Sequence, residues 1–103
     1  MTEKQLYGIF AAKMKAADPS CFCYKIPDTA GLGGKRPFDL VLISGGKPFA
    51  IEFKINNGKP TRFQQWSLEK FEIAGGKSLV FAYPRMSMDN FVKKIVRLAY
   101  ENI

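Results

Sequence analysis

The order of hydrophobic patterns along the 103 residues predicts an α/β protein, α-β-β-β-α-β-α, with helices packed on a mixed central sheet. Three observations carry this. A stripe with helical period opens the chain. Two alternating apolar runs meet at Gly45-Gly46, a strong hairpin signal because tight hairpin turns need positive φ. A further apolar run follows the second helix directly, as a β-α-β crossover requires.

Thr2 to Ala17 is expected to be helical. Thr2 and Gln5 match a capping box, and Leu6, Ile9, Phe10 and Met14 form the buried stripe. Asp18-Pro19-Ser20 ends it. Cys21 to Ile26 predicts a strand with Phe22, Tyr24 and Ile26 on one face. A glycine-rich loop, Thr29 to Gly34, and the basic Lys35-Arg36 follow. The hairpin spans Pro37 to Lys54. With Gly45 and Gly46 at the turn, Phe38, Leu40 and Leu42 fall opposite Phe53, Ile51 and Phe49, a wholly apolar core face. A second helix starts at Pro60 or Thr61 and runs to about Ala74, with Gly75-Gly76 ending it. It turns Gln64, Leu68 and Phe71 inward and Gln65, Glu69 and Glu72 outward. Ser78 to Tyr83 predicts the last strand. A last helix opens at Ser87 or Met88-Asp89 and buries Phe91, Ile95 and Leu98; its Lys93, Lys94 and Arg97 form a basic patch. The chain shows no repeat or linker, so one domain over 1–103 is expected.

Composition narrows the chemistry. Sixteen basic against nine acidic residues make a net charge of +7, which suggests a polyanionic partner, nucleic acid first. The absence of histidine excludes Ser-His, Cys-His and His-metal catalysis. Cys21 and Cys23 are too few for a disulfide framework or a zinc site and read as reduced, half-buried thiols. No apolar run is long enough for a membrane span and no signal peptide is recognisable, so a cytoplasmic location is expected.

The hairpin carries the chemistry. Its register sets Asp39 opposite Glu52, with Cβ atoms about 5 Å apart, an arrangement that repels. A hard divalent cation between them removes the repulsion, and Mg²⁺ is commonly held by one or two carboxylates. Lys54, two residues past Glu52, projects from the same face. It is placed to hold a water or to stabilise charge on a phosphate. The bland alternative is a solvated ion pair, typically worth no more than about 1 kcal/mol. Asp28, after Pro27, is a rival carboxylate whose other role is to start a turn. Gln64, polar at the head of a buried face, is a candidate for positioning water or backbone; its alternative is a hydrogen bond to the preceding loop. Lys35 and Arg36 are candidate DNA contacts, as are Lys59 and Arg62.

Pro37-Phe38-Asp39 and Glu52-Phe53-Lys54 across a hairpin resemble the PD-(D/E)XK nuclease superfamily, with the aspartate one residue later than in the signature. That resemblance implies a restriction-endonuclease-like core. It implies Asp39 and Glu52 as metal ligands, aided by the Phe53 backbone carbonyl, with Lys54 catalytic. It also makes Glu3, the only acidic residue of the first helix, a candidate ligand; the alternative is first-turn charge complementing the helix dipole. Tyr24-Lys25-Ile26-Pro27-Asp28, the glycine-rich loop, Ile51 to Lys54, Phe63-Gln64, Leu68, Phe71 and Gly75-Gly76 look like RecU-type Holliday junction resolvases. By that likeness Gln64 takes the place of a helix glutamine and Lys25 of a DNA-contacting lysine. The compact chain is similar also to phage resolvases and to stand-alone VRR-NUC nucleases of phages. The resemblance therefore implies a Mg²⁺-dependent endonuclease (Mn²⁺ substituting) for branched DNA in recombination and repair. A homodimer is expected with it, and a cytoplasmic location, that of the host if the protein is phage-encoded. A nuclease for flaps or single strands, and a non-catalytic DNA-binding module of the same fold, are the alternatives.

Overall fold

A computed structural model describes residues 1–27 and 36–101. The elements are α1 (Glu3–Ala17), β1 (Phe22–Lys25), β2 (Leu40–Ser44), β3 (Lys47–Lys54), α2 (Arg62–Ile73), β4 (Lys77–Ala82) and α3 (Met88–Ala99). This is the predicted order. The sheet runs β1-β2-β3-β4, antiparallel through its first three strands and parallel between β3 and β4. The parallel pair is joined through α2, as the crossover requires.

Each helix starts where its side chains cap it. Gln5 N–H donates to Thr2 Oγ1 and Thr2 N–H to Gln5 Oε1, a complete capping box on α1. Thr61 and Gln64 repeat it on α2, and Ser87 Oγ accepts from Asn90 N–H on α3.

Two apolar clusters lie on the two faces of the sheet. The larger joins Leu6, Phe10 and Met14 of α1, Phe91, Val92, Ile95 and Ala99 of α3, and Leu40, Leu42, Phe49, Ile51, Phe53 and Phe81 of the strands. Its aromatic rings meet edge to face, Phe10 on Phe53 and on Phe91, and Phe81 on Phe53 and on Phe91. The smaller is built from Phe38, Ala50 and Leu68, with Ile26, Val41, Phe71 and Val80 against it. Thus α1 and α3 cover one face and α2 the other. Cys21 and Cys23 are free thiols packed at the larger core, while Phe22 and Tyr24 of the same strand stay exposed on the α2 side.

The hairpin has the predicted register, from Leu40 opposite Ile51 to Ser44 opposite Lys47. Gly45 and Gly46 have φ of 60° and 76°, the paired positive values of a tight hairpin turn. A Cβ on Gly45 would also run into the Ala99 carbonyl. One predicted pair fails. Phe38 does not face Phe53 in the main core; it packs edge to face on Phe71, 5.5 Å away, in the α2 cluster. The regular ladder stops at Leu40 and Ile51, and beyond it the backbone changes course at Asp39.

The far end of the hairpin is tied down by a buried carboxylate. Asp18 accepts from Ser20 Oγ at 2.9 Å, Ser44 Oγ at 2.5 Å and Tyr100 Oη at 2.9 Å. Lys47 Nζ reaches the Leu98 and Glu101 carbonyls at 2.9 and 3.1 Å and so satisfies the end of α3. No helix among the described residues is long and apolar enough to cross a membrane.

Candidate active site

The departure at Asp39 creates the site. Its carbonyl accepts from Ile26 N–H at 2.9 Å and its N–H donates to the Ile51 carbonyl at 3.0 Å, one position off the ladder register. Its side chain then takes the place of a backbone acceptor: Phe53 N–H donates to Asp39 Oδ2 at 2.7 Å. Asp39 therefore does not occupy a ladder position opposite Glu52, as the register predicts, yet its carboxylate still lies close enough to act on Glu52.

Glu52 is 1 % exposed. Its Oε2 meets Lys54 Nζ at 3.0 Å, while Oε1 is buried without a hydrogen-bond partner among the described residues. An unpartnered buried carboxylate oxygen is costly and asks for an explanation. Burial, and then the negative charge of Asp39, push the Glu52 carboxyl up to about 7, despite the Lys54 ammonium. Asp39 has its own cation: Arg36 Nη2 lies 3.2 Å from Oδ1, and Arg36 Nη1 donates to the Ile26 carbonyl at 3.4 Å. The site thus holds two carboxylates and two cations within one short stretch of sheet end.

This donor set suits a hard divalent cation. Asp39 and Glu52 supply carboxylate oxygens, one of them unsatisfied. The Phe53 carbonyl is on the same strand edge as its N–H, which faces Asp39. Glu3 stands apart. It borders, with Lys4, Tyr7, Lys25, Arg36 and Asp39, a cavity of about 480 Å³ beside the carboxylates. Among the described residues no three acidic or thiol side chains gather around one metal position.

The remaining candidates are spread around this centre. Gln64 sits in the α2 capping box, its Oε1 accepting from Thr61 N–H at 3.0 Å and its own N–H donating to Thr61 Oγ1 at 3.2 Å. Any part in chemistry would have to use its amide nitrogen. Lys25 reaches over the Tyr7 ring, 5.3 Å from its centroid, at the cavity wall. Lys59 and Arg62 are exposed at the entry to α2. Lys35, Asp28 and the glycine-rich loop lie outside the described residues. Lys93, Lys94 and Arg97 line a shallow hollow with Asn90 on α3. Cys23 is held at about 12 by burial and by Cys21, which leaves a protonated thiol at neutral pH.

Several features escaped the sequence. The pairing of Arg36 with Asp39 makes a presumed DNA contact part of the carboxylate centre. Lys4 and Tyr7 enter the cavity wall beside Glu3, one and four residues on along α1. After Lys54 the chain turns through Asn56 and Asn57, with φ of 53° and 54°. Asn57 is clamped from both sides: its N–H donates to the Tyr83 carbonyl and its Oδ1 accepts from Arg85 N–H. Asn tolerates this left-handed conformation better than most residues, and Asn-Asn-Gly was the signal available. Trp66, stacked on Phe63 and 55 % exposed, is another feature that no local pattern marks.

Neither the family models nor the curated proteins contain a match to this chain. Among solved structures, a VRR_NUC domain superposes with a TM-score of 0.58 at 20 % sequence identity, over 92 % of this chain and 96 % of that one. With three helices, a four-stranded mixed sheet and the same extent, the chain has the fold of a VRR_NUC domain.

Proposed function

We propose that this protein is a metal-dependent DNA endonuclease that hydrolyses phosphodiester bonds at branched DNA, with the four-way junction as its substrate. The observation that carries the reading is Glu52, buried, unpartnered at Oε1, pressed by Asp39 and paired with Lys54. A non-catalytic binding module gains nothing from a buried carboxylate held so far from its usual range. The VRR_NUC fold supports the nuclease reading, as does the charge of +7.

Asp39, Glu52 and the Phe53 carbonyl would hold Mg²⁺, or Mn²⁺ in its place. Such an ion supplies Lewis-acid activation of the phosphate and a more acidic bound water. Lys54 then has two tasks. It holds Glu52 in position at 3.0 Å, and its ammonium stabilises negative charge that develops on the phosphate. Lys25, Lys59 and Arg62 hold DNA phosphates around the centre and fix register without reading sequence. The Gln64 amide supports the nucleophile or the DNA backbone. Paired cuts on symmetric strands call for a C₂ homodimer.

Nicking of a labelled immobile four-way junction in Mg²⁺, beside duplex, flap and single strand, tests this. Symmetric cuts at the junction, lost in Glu52→Gln with DNA binding intact, are expected. Cuts on flaps or single strands instead would keep the metal site and move the substrate. Cleavage surviving in Glu52→Gln would sink the assignment of the site.

A further inference from the structure

Both oxygens of Asp39 already have a partner. Phe53 N–H occupies Oδ2 and the Arg36 guanidinium lies 3.2 Å from Oδ1. On Glu52, Lys54 takes Oε2 and only Oε1 is open. With Glu52 ionised, two carboxylates facing two cations are already balanced in charge. A divalent ion added between Asp39 and Glu52 would leave the centre at +2, unless an anion arrives or a cation withdraws. Arg36 is the cation able to do both. Its side chain keeps 27 % of its surface exposed and borders the cavity beside Lys4 and Lys25. Phosphate offers a guanidinium the same two-pronged acceptor as a carboxylate.

We propose that Arg36 is an exchangeable counter-cation of Asp39: it holds the carboxylate while the metal is absent and passes to a substrate phosphate when DNA enters, opening Oδ1 to the metal. This rests on the nuclease reading and adds a coupling to it. Because such linkage is reciprocal, DNA raises the affinity for the metal by the same factor as the metal raises the affinity for DNA. Arg36 is a positioning residue in this scheme. It places Asp39 before substrate arrives and the phosphate afterwards.

Binding, without turnover, tests it. Mn²⁺ is titrated calorimetrically into the protein alone and into the protein saturated with a phosphorothioate-linked four-way junction. Wild type, Arg36→Gln, Arg36→Lys and, as a control, Lys15→Gln, exposed in the last turn of α1 at the opposite end from the cavity, are compared. In the wild type the junction is expected to tighten Mn²⁺ binding by about tenfold, within the usual range of coupling between sites. Arg36→Gln is expected to bind Mn²⁺ about fivefold more tightly without DNA, as befits loss of a competing ion pair, and to keep little of the gain from DNA. Arg36→Lys, which retains the charge but not the planar fork, is expected to shift the same way by less, and it carries the test if Arg36→Gln does not fold. Lys15→Gln should behave as wild type. A DNA-induced gain in Arg36→Gln equal to the wild-type gain overturns the proposal while leaving the metal site in place. Failure of the wild type to bind Mn²⁺ with or without DNA overturns both this inference and the nuclease reading.

Discussion

Glu52 is the residue on which the proposed chemistry and the stability of this protein meet. In the unfolded chain its carboxyl ionises near 4.5, whereas in the fold burial and Asp39 push it up to about 7. Between those values the folded state binds more protons than the unfolded state, so stability falls as pH rises. The contribution is fully present below about 4.5 and is lost by the time the pH has passed 7. Metal-free protein should therefore lose roughly 1–3 kcal/mol across that window in denaturant titrations, and Glu52→Gln should flatten the slope. Mg²⁺ added above pH 7 should raise the wild-type Tm, since it binds the folded state, and should leave Glu52→Gln unmoved. An equal slope in the variant would place the titrating group elsewhere. Glu52 and Lys54 were legible from their place in the hairpin. Asp39 was legible as a partner but not in its geometry, because its side chain replaces a backbone hydrogen bond that a register argument assumes.

At the scale of elements, α2 carries two demands on one residue. Gln64 is the reciprocal partner of Thr61 in the helix cap and also the candidate helper of catalysis. Glutamate satisfies a capping box equally well, so Gln64→Glu separates the two tasks. The variant should keep its thermal midpoint but cleave about tenfold more slowly, because a second anion replaces a donor near the phosphate. Unchanged cleavage would leave Gln64 with the capping role alone. The helices and hairpin were legible to within a residue or two, because caps, stripes and paired glycines act locally. The partner of Phe38 was not. A strand's alternation predicts faces only while the ladder stays regular, and the shift at Asp39 sends Phe38 to Phe71.

Across the whole molecule, the turn end of the hairpin, opposite the candidate site, is locked by a buried carboxylate. Asp18 gathers Ser20 beyond α1, Ser44 of β2 and Tyr100 beyond α3, segments 82 positions apart at the extremes. The Ser44 hydroxyl, then those of Ser20 and Tyr100, hold its carboxyl below the usual range against the opposing effect of burial. A depressed folded value stabilises above the unfolded one and is lost as pH falls. Asp18→Asn should therefore lower the Tm at neutral pH and soften the acid limb of unfolding, without changing nicking per folded molecule. A loss of nicking at full stability would show that the turn end communicates with the site.

Local pattern alone determined a good deal: the order of elements, the turn at Gly45-Gly46, the crossover through α2, and a histidine-free candidate site on Asp39, Glu52 and Lys54. These follow from periodicity, capping and composition, which act over a few residues. Only the tertiary structure decided that Phe38 changes faces, that Arg36 belongs to Asp39, that Gln64 is tied into a cap, and that Tyr7 and Lys4 share the cavity with Lys25. Each of these depends on where a distant backbone group or charge comes to rest. Burial then sets the energy: it leaves Glu52 Oε1 without a hydrogen-bond partner among the described residues, and no window of sequence contains that fact.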